Sequence, residues 1–121
     1  MHIIKKDIKN NRLYVTLSGV ISLSEAEEIK EIMIKEIEEL AAGFDVINNI
    51  SKYIQGDERA GVILHELVIY LVGKGVNRLI RVVGTSKTGL IQFAKFTPQQ
   101  KDVNIHYFPT MEEAEEFLNK K

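Results

Sequence analysis

An α/β fold is indicated most directly by residues 44–72, which read FDVINNISKYIQGDERAGVILHELVIYLV. The stretch begins with a short apolar run and ends with a longer, largely apolar one at 62–72. Between them, residues 48–61 are mostly polar and include two glycines and the adjacent acids Asp57 and Glu58. Polar loops that follow a buried strand carry the working groups of many α/β proteins, so this segment is the first candidate for a functional site.

The residues before this stretch predict an antiparallel hairpin. Residues 12–18 alternate between apolar and polar side chains, which is the pattern of a half-exposed strand. Residues 2–8 read as the partner strand, joined by a short turn at 9–11.

Two capping patterns mark the starts of helices. Ser22 with Glu25 three places later predicts a first helix that stops near Gly43. Thr110 with Glu113 predicts a last helix at the C-terminal end. Apolar residues at steps of three and four give each helix one buried stripe. The predicted stripes are Ala26, Ile29, Met33, Ile37 and Leu40 in the first helix, and Met111, Ala114, Phe117 and Leu118 in the last.

The other predicted elements complete an alternating pattern. They are strands at 44–50, 78–84 and 103–108, and helices at 57–73 and 89–96. The run at 78–84 is compact and apolar, as in a strand that is buried on both faces. The order β-β-α-β-α-β-α-β-α predicts one α/β domain over residues 1–121, with a five-stranded mixed sheet flanked by helices.

Composition argues against several functional classes. Sixteen basic and 17 acidic residues give a net charge of −1, which does not favour binding to nucleic acid or to an anionic membrane. The absence of cysteine excludes disulfides and thiolate chemistry and fits a reducing compartment. The longest strictly apolar run, 67–72, is far shorter than the roughly 20 residues of a membrane span. We therefore expect a cytoplasmic protein.

Motifs for phosphate binding and catalysis are weak or missing. The segment GTSKTG at 84–89 resembles a phosphate loop, but Leu90 stands where a Walker motif requires lysine, so a plain turn is expected. His2, His65 and His106 lack the spacing of metal ligands, and no G-x-S-x-G motif occurs. The sequence therefore predicts no catalytic residue, metal ligand or cofactor, and we expect a protein that is not an enzyme.

The second helix has apolar residues on two sides. Its inward face is predicted to comprise Ala60, Ile63, Leu64, Leu67, Val68 and Leu71. On the opposite side, Val62, His65, Ile69 and Val72 repeat at steps of three and four and form a second stripe. Either another part of the chain, such as the C-terminal helix, covers this stripe, or it contacts a partner protein or a second copy.

Three short segments resemble STAS domains, the family of anti-sigma-factor antagonists. They are LSGVIS at 17–22, the stretch from DVINNIS to AGVIL at 45–64, and LIRVVG at 79–84. The resemblance implies a STAS-like fold and a regulatory role that depends on binding to partner proteins. In that family, a serine in an Asp-Ser-Ser-Gly motif before the second helix is phosphorylated by a partner kinase, and phosphorylation breaks the complex.

The serine that the resemblance implies is absent from this sequence. When Gly61 is aligned with the family motif, Gly56 stands at the aspartate, Asp57 and Glu58 at the serines, and Arg59 at the glycine. The two acids either cap the second helix or imitate the phosphorylated state permanently.

Other polar residues of this region could also take part. Ser51 is an alternative acceptor or an ordinary turn serine. Asn48 and Asn49 are expected to bond the loop backbone.

The sequence thus predicts a non-catalytic regulatory module that presents the loop at 51–59, the second helix and the loop at 84–89 to a protein partner. Self-association through the outer stripe is a related prediction. The alternative is a carrier or sensor of a lipid-like apolar molecule, held between sheet and helices beside LIQFAKF at 90–96. An enzyme is the third reading, since it would need a cluster of polar groups in a cleft.

Overall fold

The structure, a computed structural model, describes residues 1–84 and 104–120, apart from the side chains of Gln55 and Asn104. In chain order, the elements of this part are β1 (His2–Asp7), β2 (Arg12–Ile21), α1 (Leu23–Ile37), β3 (Asp45–Gly56), α2 (Glu58–Gly73), β4 (Arg78–Val82), β5 (Asn104–Phe108) and α3 (Met111–Asn119). The predicted helix at 89–96 lies outside the described residues, and so does the predicted turn at 84–89 apart from Gly84.

The five strands form one mixed sheet in the order β1-β2-β3-β4-β5. β1 runs antiparallel to β2, and the remaining neighbours are parallel. The hairpin turn ends at Asn11, whose φ of 56° lies in the left-handed region that asparagine tolerates. The predicted mixed sheet of five strands is confirmed.

Helices cover both faces of the sheet. Val46 and Leu79 point towards α1 and α2 and belong to the larger apolar cluster. Their neighbours Ile47 and Ile80 point the other way and pack with Ala114 and Leu118 of α3. Because successive side chains of a strand face opposite sides, a central strand that is buried on both faces is mostly apolar. In β4, Leu79, Ile80 and Val82 are buried as predicted, and the charged Arg81 is buried among them.

Polar contacts fix α3 against the sheet. The buried guanidinium of Arg12 donates to Glu115 Oε2 at 3.3 Å and to Asn119 Oδ1 at 2.9 Å. The hydroxyl of Tyr14 donates to Glu115 Oε1 at 2.6 Å. Thr110 caps α3 by accepting a hydrogen bond from Glu113 N at 3.2 Å, which confirms the predicted cap.

Two predicted boundaries were wrong. α1 ends at Ile37, six residues before Gly43, because Glu39 N and Leu40 N bond carbonyls three residues back and tighten the last turn. β3 continues to Gly56, six residues beyond its predicted end, because the long strand β2 keeps pairing with it as far as Ile21. Much of the predicted loop at 51–59 is therefore strand.

Candidate functional site

The junction between β3 and α2 is a direct passage from strand to helix through Gly56 and Asp57. A Cβ atom built on Gly56 would lie 2.7 Å from the hydroxyl oxygen of Tyr53 and 3.0 Å from the carbonyl oxygen of Ile21. Tyr53 is itself buried. This position, which aligns with the family's aspartate, therefore accepts a side chain only if the buried tyrosine moves.

Asp57 is the N-cap of α2. Its carboxylate accepts a hydrogen bond from Arg59 N at 2.8 Å. The Arg59 guanidinium donates to the same carboxylate through Nε at 3.2 Å and through its terminal nitrogen at 2.8 Å. These bonds hold the pKa of Asp57 below its usual value, with the Arg59 side chain as the largest cause. The predicted cap is confirmed, and Glu58 is the exposed first residue of the helix.

Ser51 lies apart from this cap, within β3. Its hydroxyl donates to Asn49 Oδ1 at 2.7 Å, and its backbone N–H donates to the same oxygen at 3.1 Å. Gly84 packs against it so closely that a Cβ there would lie 2.9 Å from the Ser51 Cβ. The structure thus brings Gly56, Asp57 and Arg59 together at the start of α2. Ser51 lies earlier in the chain, within β3.

The inward side of α2 is buried as predicted, except that Leu64 is only half-buried. Its opposite side, which we call the outer stripe, comprises Val62, His65, Ile69 and Val72. Val62 is 56% exposed and Ile69 is 48% exposed, while the other two are half-buried. α3 lies across the sheet from α2, so the interpretation that the C-terminal helix covers this stripe is wrong.

A small cavity of about 40 Å³ lies between the sheet and the two helices α1 and α2, and it is partly open to solvent. Most of its lining is apolar and includes Ile29 and Met33 of α1 and Leu67 and Leu71 of α2. A pocket in this place was part of the alternative prediction from the sequence. The predicted contribution of residues 90–96 lies outside the described part of the chain.

The floor of the cavity carries two polar residues on adjacent strands. Asn48 of β3 and Arg81 of β4 are partners in the sheet register, and both line the cavity. The oxygen Oδ1 of Asn48 is buried and accepts no hydrogen bond. Arg81 is 2% exposed and donates to the hydroxyl of Tyr107 at 3.1 Å. Burial is the largest cause of the lowered pKa of Arg81.

Sequence reasoning missed this polar pair. Asn48 was assigned to the loop backbone, although Asn49 is the residue that makes such a bond, to Ser51 N. Arg81 stands inside the run RLIRVVG, which was predicted to be buried on both faces. The available signal was therefore the charged residue at a predicted core position, because burying a charge is costly unless the group is paired or hydrogen-bonded.

The histidines do not converge. His2 Nδ1 lies 2.8 Å from Glu25 Oε2, and this contact is the largest cause of the lowered pKa of Glu25. The rings of His106 and Phe117 lie 4.7 Å apart, centroid to centroid, and are tilted by 45°. Within residues 1–84 and 104–120, no three histidine, aspartate or glutamate side chains are grouped to hold a metal ion. None of the helices in these ranges has the length and apolar character that crossing a membrane requires.

Comparison with solved structures identifies the fold. The anti-sigma factor antagonist SpoIIAA in its unphosphorylated form matches with a TM-score of 0.69 and 14% identity over 100% of both chains. A DUF3478-family protein with a SpoIIAA-like fold from Shewanella loihica PV-4 matches with a TM-score of 0.70 and 15% identity, over 98% of this chain and 92% of that one. Phosphorylated SpoIIAA, the Bacillus cell fate determinant, matches with a TM-score of 0.62 and 12% identity, over 98% and 100%.

The chain therefore has the STAS, or SpoIIAA-like, fold, as its sequence predicted. No protein-family model matches the sequence, and no curated protein matches it either.

Proposed function

We propose that this protein is a non-catalytic, cytoplasmic regulatory module that binds a protein partner through the outer stripe of α2 and the adjoining β3–α2 junction. The observation that carries the proposal is the exposure of Val62 and Ile69 on a helix whose inward face is already filled by the core. Val62 and Ile69 lie two helical turns apart on the same side of α2 with His65 between them, and a stripe of this kind marks an interaction surface more often than a single exposed apolar side chain does. SpoIIAA, which shares the fold, is named as an antagonist of an anti-sigma factor.

Binding in this proposal does not depend on phosphorylation of the junction. A phosphoserine carries about −1.5 to −2 charges at neutral pH. The carboxylate of Asp57 is neutralised locally by Arg59, so Glu58 alone supplies an unpaired exposed acid there among the contacts described. The junction is thus a poor imitation of a phosphoserine and serves as a permanent helix cap. Ser51 stays the alternative acceptor predicted from the sequence.

The test is capture of partners from the native cell with matched variants. Ile69→Asp places a charge in the outer stripe, and Ile3→Asp makes the same change on β1, where the side chain is 51% exposed. We expect Ile69→Asp to lose a bound protein that both the wild type and Ile3→Asp retain. Equal capture by all three proteins would contradict the proposal.

The same variants test self-association, and one double variant tests whether the β3–α2 junction is a phosphorylation switch. Light scattering should give a dimer that Ile69→Asp dissociates if the partner is a second copy. A strictly monomeric wild type would contradict self-association through the outer stripe. The double variant Asp57→Ser, Glu58→Ser should bind partners as the wild type does. If it becomes phosphorylated and releases them, the junction is a regulatory switch that has lost its acceptor.

The cavity favours a second function, that of a carrier or sensor of a small apolar molecule. Its apolar lining and its opening to solvent are typical of ligand sites, although about 40 Å³ is small. Native mass spectrometry of the protein as isolated checks this function. A co-purifying mass of a small molecule supports a carrier, and its absence from freshly isolated protein counts against one.

A further inference from the structure

We infer that the partner of the outer stripe is a basic amphipathic helix, whose apolar face lies on Val62 and Ile69 and whose lysine or arginine side chains meet exposed acids of α1. This inference rests on the docking function proposed above and names the chemistry of the partner.

The ion pair between Lys30 Nζ of α1 and Glu66 Oε2 of α2, at 2.8 Å, shows which sides of the two helices face each other. Residues three or four apart are neighbours on one side of a helix, so Val62 and Ile69 lie on either side of Glu66 along α2. By the same spacing, Glu27 lies beside Lys30 along α1. Both helices join parallel strands and run in the same direction, and packed helices lie about 8–10 Å apart. The outer stripe therefore runs alongside a charged side of α1.

That side of α1 carries unpaired acids. Glu27, Glu31 and Glu38, which we call the acid row, follow at steps of four and seven and are all exposed. None of the ion pairs in the described part of the chain involves them. By contrast, Glu36 on the opposite side of α1 is paired with Lys6 of β1. Since α1 and its C-cap residue together contain six acids and two bases, the charge of the acid row is not balanced within the helix.

One helix can contact both rows at once. An α-helix with its side chains is about 10–12 Å in diameter, which is close to the distance between packed helices such as α1 and α2. Val62 and Ile69 are two turns apart, which is a spacing at which an amphipathic helix presents its apolar residues. Basic residues on the flank of that helix would meet the acid row, because interfaces pair opposite potentials. A second copy fits less well, since antiparallel contact of two α2 helices would set one acid row against the other.

A displayed library of amphipathic peptides tests the inference on the full chain. The peptides have 16 residues, the length of α2, with a leucine face at helical spacing and with lysine, glutamine or glutamate varied along each flank. We expect selection on the immobilised protein to enrich lysine over glutamate on one flank by about tenfold or more. Enriched peptides without lysine whose capture Ile69→Asp abolishes would overturn the inference and leave the docking function. If no captured peptide depends on Ile69, both are contradicted.

Reversing the charge of the acid row provides the second test. By fluorescence anisotropy, the double variant Glu27→Lys, Glu31→Lys should bind the lysine-flanked peptide about tenfold more weakly than the wild type does, and a glutamate-flanked version more tightly. The matched control is Glu112→Lys, Glu116→Lys, because these acids have the same spacing and are exposed on α3, across the sheet. The control should bind as the wild type does.

Equal losses in the two double variants, or no loss in either, would overturn the inference. Light scattering adds one more outcome. A dimer that Ile69→Asp dissociates would assign the outer stripe to a second copy and would also overturn the basic helix as its partner.

Discussion

The helices α1 and α2 lie on the same face of the sheet, yet their outer sides differ in chemistry. Both bury an apolar stripe in one core. The outer side of α1 exposes Glu27, Glu28 and Glu31, as an amphipathic surface helix should. The outer side of α2 exposes Val62 and Ile69 instead. Because α1 shows that the fold needs no apolar residue there, those of α2 are available for binding, and the following experiments test that difference.

The largest expected effect separates the two sides of α2. Leu67→Asp would bury a carboxylate at a position that is 3% exposed, and we expect the variant to be unfolded, since an unpaired buried charge costs several kcal/mol. Ile69→Asp, two residues away, should change the free energy of unfolding by less than about 0.5 kcal/mol. Urea denaturation followed by circular dichroism measures both. A folded Leu67→Asp, or an unfolded Ile69→Asp, would show that the assignment of the two sides is wrong.

The sequence predicted the two-sided character of α2 correctly, because helical periodicity depends only on local spacing. Both faces were placed by counting at 3.6 residues per turn, and the capping residues Ser22, Asp57 and Thr110 were identified in the same way. What covers a face depends on topology. The interpretation that α3 covers the outer stripe failed because α3 packs on the other side of the sheet.

The missed parts of the candidate site are non-local for the same reason. The extension of β3 to Gly56 depends on its pairing with β2, more than 30 residues earlier in the chain. The pairing of Asn48 with Arg81 depends on strand register, which short-range patterns do not contain. There is no room for a side chain at Gly56 because of the position of the Tyr53 hydroxyl, which sequence spacing does not give.

Replacing glycine by alanine should destabilise the protein more at the start of α2 than at its end. Gly56→Ala brings a methyl group against the buried Tyr53 and the Ile21 carbonyl, and we expect a loss of about 1–3 kcal/mol in the free energy of unfolding. Gly73→Ala, at the last helical residue, meets no atom within 4 Å and should be neutral or stabilise by about 0.5–1 kcal/mol. Urea midpoints compare the two, and similar losses would argue against steric closure at Gly56.

The two helix caps should differ in their response to pH. Ser22 caps α1 through a neutral hydroxyl that accepts from Glu25 N at 3.2 Å, so Ser22→Ala should cost about 0.5–2 kcal/mol at pH 7 and much the same at acid pH. Asp57 caps α2 through a carboxylate whose pKa is lowered in the folded protein, chiefly by Arg59.

The contribution of the Asp57 charge is therefore fully present above the unfolded pKa of about 3.9 and disappears as the pH falls through the folded pKa. We expect Asp57→Ala to destabilise the protein at pH 7 and the difference from the wild type to shrink near pH 3. Paired urea titrations at the two pH values check this, and a constant difference for Asp57→Ala would contradict the role of its charge.

The smallest effect concerns the one ion pair that joins the two helices in the described part of the chain. Lys30 Nζ of α1 lies 2.8 Å from Glu66 Oε2 of α2, but the side chains are 38% and 49% exposed. Water and salt screen such a pair, so a double-mutant cycle with Lys30→Ala and Glu66→Ala should give a coupling of less than about 1 kcal/mol that falls further in high salt. The seam between α1 and α2 is then held by the apolar side chains beneath it, and the charges above it only complete the hydrophilic surface of α1. A coupling that exceeds 2 kcal/mol and resists salt, above the roughly 1 kcal/mol limit of exposed pairs, would instead make Glu66 a structural partner of α1.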